Sequence, residues 1–236
     1  MSLPKMMHPT FNVTIPSTGQ KIRMRPFLVR EEKILLMAQT SENAKDIVLA
    51  IQQVVNNCLV DKVAIEDLTT FDIEYLFLKL RGKSVSNTIE LKYTDPIDKH
   101  QYDIVVNVDD VEVQFNEEHT NKITITEQSG IILKYPKADL ADRMGNDITT
   151  EVELLFELIK YCVDKFYDEN DVYDLTDYTS EDVSEFIDSL GIETFQKIQK
   201  FMETMPKLYH EVPYTRKDGS EGKVVLQTLN DFFTLR

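Results

Sequence analysis

The spacing of apolar residues switches repeatedly between a period of two and a period near 3.6, and this restricts the fold more than any single motif. Alternation of apolar and polar residues predicts half-buried β-strands, and stripes recurring every three to four residues predict helices with one buried face. Residues 11–15 and 21–25 alternate around Pro16-Ser-Thr-Gly19, the pattern of a β-hairpin with its turn residues in place. Pro26 ends the second strand, and Phe27 is expected to plug into the body of the fold. Helical spacing then takes over, first through Val29, Leu35, Leu36 and Ala38. A second stripe runs through Ile47, Ala50, Ile51, Val54, Val55 and Cys58. A third helix is predicted from near Thr70, with Ile73, Leu76, Phe77 and Leu80 inward and Asp72 and Glu74 in its first turn, where the dipole favours them.

The middle of the chain returns to period two. Residues 88–93 and 101–107 flank Asp95-Pro-Ile-Asp98 as a second hairpin, and residues 111–113, 122–126 and 130–135 continue an antiparallel sheet of four to six strands. Helical stripes resume with Val152, Leu155, Phe156, Ile159 and Val163, then Val183, Phe186, Ile187 and Leu190, then Ile192, Phe195, Ile198, Phe201 and Met202. A last hairpin, 207–214 with 222–227, wraps Lys217-Asp-Gly-Ser220. The fold class is therefore α+β: antiparallel β hairpins and a central sheet flanked by N-terminal and C-terminal helical layers. The polar stretch 137–149, with Gly145-Asn146, suggests a division into 1–136 and 137–236, unless the chain forms one continuous domain.

Composition narrows the function classes. The formal net charge of −15 repels phosphate backbones, so nucleic acid is not an expected partner. The longest apolar stretches are interrupted by Gln, Asn, Glu and Lys, so neither they nor the N-terminus reads as a membrane span or signal peptide. The expected setting is the cytosol. Cys58 and Cys162 fall on apolar helix stripes and read as two free, buried thiols.

No catalytic pattern emerges. The chain lacks G-x-S-x-G, a Walker loop and G-x-G-x-x-G. The four histidines, His8, His100, His119 and His210, are scattered, and none has a Cys or another His at ligand spacing. Residues 168–188 hold nine Asp or Glu and no Lys or Arg, yet read from Asp168 they put Val172 and Tyr173 where a calcium loop needs a ligand and a glycine. They read as a solvated linker and helix start. The expectation is no catalytic residue, no metal site and no cofactor. Phe27, Tyr75, Phe77, Tyr209, Phe232 and Phe233 lie near element ends and together allow an exposed aromatic patch. The candidate partner-binding residues are Phe27, Arg30, Tyr75, Phe232 and Phe233.

The segment Arg25-Pro-Phe-Leu-Val-Arg-Glu-Glu-Lys-Ile-Leu-Leu-Met-Ala38 resembles the baseplate hub assembly proteins of T4-type contractile-tailed phages. The likeness continues at Phe71-Asp-Ile-Glu-Tyr-Leu-Phe-Leu-Lys-Leu-Arg81, Leu133-Lys-Tyr-Pro136, Glu185-Phe-Ile-Asp-Ser-Leu190, Lys200-Phe-Met-Glu-Thr-Met-Pro206 and Leu229-Asn-Asp-Phe-Phe233. It implies a non-enzymatic, chaperone-like assembly factor for the tail baseplate hub that binds hub proteins in the host cytoplasm. The alternatives are a permanent hub subunit in the virion tail baseplate and, further off, an assembly-linked hydrolase. The chain also resembles relatives with Cys pairs in two hairpin turns. Here those turns read Tyr93-Thr-Asp-Pro-Ile-Asp98 and Tyr214-Thr-Arg-Lys-Asp-Gly219, so zinc held by such thiolates is not implied and turn chemistry must close the loops.

Overall fold

The computed structural model describes residues 8–41, 44–143 and 150–234, without the side chains of Ala44, Phe233 and Thr234. The chain divides into two compact units, one formed by 1–114 with 207–236 and the other by 115–206. Both combine helices with antiparallel strands, so the protein is α+β.

The first unit opens with β1 (Phe11–Thr14) and β2 (Lys21–Met24), paired antiparallel with Phe11 opposite Met24. Gly19 closes the turn at φ 68°, a left-handed conformation that a side chain would strain. Three helices come next: α1 (Val29–Gln39), α2 (Ala44–Cys58) and α3 (Thr70–Ser84). On α2 the stripe Val54, Val55 and Cys58 is fully buried, as its spacing predicts. Helix α3 begins where Thr69 Oγ1 accepts from the Asp72 N–H at 3.2 Å and the Asp72 carboxylate accepts from the Thr69 N–H at 3.0 Å, a reciprocal cap. The same carboxylate accepts from the Ser17 N–H (2.9 Å) and Oγ (2.6 Å), tying the first hairpin turn to α3.

The strands expected to form one sheet are shared among three. Strands β3 (Thr88–Thr94) and β4 (Gln101–Asn107) pair along their whole length as a hairpin. Strand β5 (Glu112–Gln114) instead joins β10 (Lys207–Thr215) and β11 (Glu221–Leu226) in the order β11–β10–β5. The terminal helix α8 (Leu229–Thr234) completes this unit. Leu78, Ile89, Val106, Leu208, Leu226 and Phe232 meet in one buried cluster.

The second unit holds a four-stranded antiparallel sheet in the order β6 (Lys122–Thr124), β7 (Gly130–Leu133), β8 (Val163–Tyr167), β9 (Val172–Asp174). Its helices are α4 (Leu140–Arg143), α5 (Glu151–Cys162), α6 (Ser180–Asp188) and α7 (Ile192–Thr204). Ile131, Leu133, Ile159, Cys162, Ile198 and Phe201 make its core. Strands β8 and β9 replace part of what the sequence presents as helix stripe and acidic linker. No Gly or Pro separates α5 from β8; the chain leaves the helix at Val163 by turning to φ −70°, ψ 113°.

Candidate protein-binding surface

Helix α1 is attached in an unusual way. Only Glu31 and Ala38 of its residues are buried, and Leu28 before it has no side-chain oxygen to cap the first turn. The Glu31 carboxylate takes over, accepting the Leu28 N–H at 2.9 Å. It also accepts from Arg25 Nη2 at 2.9 Å and Arg30 Nε at 2.6 Å, with no exposure of its own. Burial alone would raise its pKa, but hydrogen bonds from Arg25, the Leu28 N–H and Arg30 hold it at about 2. Arg25 donates as well to the Pro26 carbonyl (3.0 Å) and the Asn57 carbonyl (2.8 Å), so one guanidinium joins the end of β2, the start of α1 and the end of α2. The Arg25-Pro-Phe-Leu-Val-Arg-Glu31 run is the wording of that clasp.

Beside this clasp Ile34 and Leu35 are half-buried and Ala38 is buried, while the remaining large apolar side chains of α1 stay outside. Val29 is 87% exposed, Leu36 54% and Met37 63%. Helix α2, packed beside it, adds Ile47 and Val48, both exposed. An isolated exposed Leu means little, but large apolar residues gathered on one helix pair form a surface suited to a partner.

The sequence-nominated residues fare differently. Phe27 is half-buried, with its N–H bonded to Ser84 Oγ at 2.9 Å, and Arg30 is exposed at the start of α1. These two flank the α1 face. Tyr75 is half-buried under the Lys79 ammonium, 5.0 Å from the ring centroid, and lines a cleft of about 430 Å³ beside β1 whose lining includes neither of them. Phe232 is fully buried in the core of the first unit. The side chain of Phe233 lies outside the described residues. Phe77 is also buried, so for Phe77 and Phe232 filling the core outweighs a position near an element end. The sequence gives no sign that the aliphatics of α1 are exposed, because their helical spacing reads equally well as a buried stripe.

The two turns without cysteine do come together. The buried Asp95 carboxylate accepts from the Tyr214 hydroxyl and from Arg216 Nε at 2.6 Å, and caps the Ile97 N–H at 2.5 Å. Burial opposes its charge, and these hydrogen bonds lower its pKa to about 2. Tyr102 accepts the Lys217 N–H at 3.0 Å and packs its ring 4.8 Å from that of Tyr214. Ion pair, phenol and ring contacts join the tips of the β3–β4 and β10–β11 hairpins.

Among the described residues, no group of three or more His, Cys, Asp or Glu is placed to hold a metal ion. The acidic run 168–188 spends carboxylates on its own backbone: Asp168 accepts the Asn170 and Asp171 N–H groups, Asp174 that of Thr176, Asp182 that of Thr179. Both thiols are free and buried, and burial pushes Cys58 up to about 11 and Cys162 up to about 12. His119 stacks on Tyr135 at 5.5 Å and shares a hydrogen bond with Thr204 Oγ1 at 2.8 Å. Among the described residues, no helix is long and apolar enough to cross a membrane.

The class so defined is an antiparallel α+β scaffold, fastened by buried ion pairs, that displays an apolar helix face. Residues 8–234 match the family described as T4 bacteriophage base plate protein. The match covers nearly the whole chain, and the chain belongs to that family. Membership gives it a role in the phage tail baseplate, in the company of other baseplate proteins. No curated protein and no solved structure matches it.

Proposed function

We propose that this protein is a non-enzymatic, chaperone-like assembly factor for the tail baseplate hub, and that it binds hub proteins through the outward face of α1 and the neighbouring part of α2. The observation that supports this reading is the exposure of Val29, Leu36 and Met37 on a helix fastened by Glu31. A standard interface buries roughly 1,200–2,000 Å² in total, which a helix pair with its flanks can supply. Phe27 and Arg30 would form the flank nearest the start of α1.

The test is capture from infected cells with wild-type protein and with the Leu36→Ser/Met37→Ser variant. Both side chains are exposed, so the variant should keep its circular dichroism spectrum and lose little stability. Wild type is expected to retain identified baseplate proteins and the variant to lose them. Equal capture by both would remove this face from the mechanism. Mass spectrometry of purified mature particles addresses the timing: absence of the chain fits an assembly factor, and a stoichiometric amount would replace that reading with a permanent hub subunit.

A further inference from the structure

The charge of the chain is concentrated in one of its two units. The 115–206 unit has 21 Asp and Glu against 8 Lys and Arg, whereas the rest of the chain has 20 against 18. Nearly all of the net charge of −15 therefore belongs to the second unit. Among the described residues, Lys134, Arg143, Lys160, Lys165, Lys197 and Lys200 pair with carboxylates of the same unit. With 21 acidic against 8 basic residues, an excess of 13 carboxylates remains in this unit.

On this acidic unit a strip of apolar side chains stays uncovered. Val152 and Phe156 lie one turn apart on α5, and Ile192 and Phe195 lie one turn apart on α7. The Phe156 and Phe195 rings stack at 5.5 Å and join the two rows into one strip across the helices. Val152 is 65% exposed, Phe156 39% and Ile192 77%. Glu151, Glu153 and Glu193 are exposed alongside them.

We infer that the α5–α7 strip docks a basic amphipathic segment of a partner protein, an apolar ridge flanked by Lys and Arg. The strip receives the ridge, and the field of the unit attracts the basic flanks and speeds encounter. The same field disfavours a second copy of this chain, since two such units would bring like charges together. Docking at this strip does not depend on the α1 face, so either can fail alone.

The experiment uses the full chain and a fluorescein-labelled amphipathic helical peptide of Leu and Lys, with fluorescence anisotropy read at low and high salt. Binding is expected, weakening as salt rises. Val152→Ser/Ile192→Ser should weaken it about tenfold or more, a loss of roughly 1.4 kcal/mol, and Leu36→Ser/Met37→Ser should leave it unchanged. A peptide with Glu in place of Lys should not bind. Any of three results overturns the inference. The first is unaltered affinity in the folded Val152→Ser/Ile192→Ser variant. The second is equal binding of a Lys-rich peptide with no apolar ridge, which would leave charge alone. The third is a wild-type dimer in sedimentation that this variant abolishes, which would make a second copy the occupant.

Discussion

Glu31 shows how much one carboxylate can fasten. Removing it by Glu31→Ala leaves Arg25, only 15% exposed, without its carboxylate and frees the first turn of α1. The expected cost is about 3 kcal/mol, measured by denaturant unfolding. The pH dependence has a definite sign. The folded pKa of about 2 lies below the ordinary value of 4.5, so the stabilisation is present above pH 4.5 and drains away as pH falls towards 2. Glu74 behaves in the opposite sense: burial, then the Asp231 carboxylate, push it up to about 7 from 4.5. Its folded form favours the proton, so stability should decline as pH climbs from 4.5 to 7. Glu74→Gln should abolish that decline, which melting curves at pH 5 and pH 8 would reveal; identical curves for both proteins would refute it. The spacing puts Glu74 with Asp72 in the dipole-favoured first turn of α3, but the helix starts at Thr70 and only Asp72 falls in that turn. Burial is a tertiary property, and no local pattern announces it for Glu74 or for Glu31.

The elements with strong punctuation are legible in the amino-acid sequence alone. Pro16-Ser-Thr-Gly19, Asp95-Pro96 and Asp218-Gly219 mark the tips of three hairpins, and all three form. The β8–β9 pair was not legible, because residues 164–167 are half-buried and lack a clean inside–outside alternation. The neighbouring strand makes a different demand visible only in three dimensions. A Cβ at Gly130 would meet the Ile123 carbonyl oxygen at 2.5 Å as well as the Tyr167 hydroxyl. Tyr167 can rotate away, whereas the backbone of β6 cannot. Gly130→Ala should therefore loosen the four-stranded sheet, at roughly 2 kcal/mol, and hydrogen exchange should report the loss in β6–β8 before α2 or α3. The α1 face was the least readable element for function, since Leu35-Leu36-Met37 carries the same letters whether a helix faces its own core or a partner.

At the scale of the molecule, the polar stretch 137–149 reads as a boundary in the sequence, and these positions fall within the 115–206 unit. The pairing of β5 with β10 could not be read off the chain, because the two strands lie on either side of that entire unit and strand patterns do not name their partners. Their register carries a consequence of its own. Gln114, the last residue before the second unit, sits directly opposite Lys207, the first residue after it. The unit thus departs and returns across one rung of an antiparallel ladder, a gap that a tight Asn-Gly turn can span. A shortened chain linking Gln114 to Lys207 through Asn-Gly should keep the first unit folded, shed most of the acidity and still bind through α1; aggregation or a molten spectrum would count against it. In genetic terms the junction is a cassette site, where a whole body of protein can be exchanged without respelling the sheet that carries it.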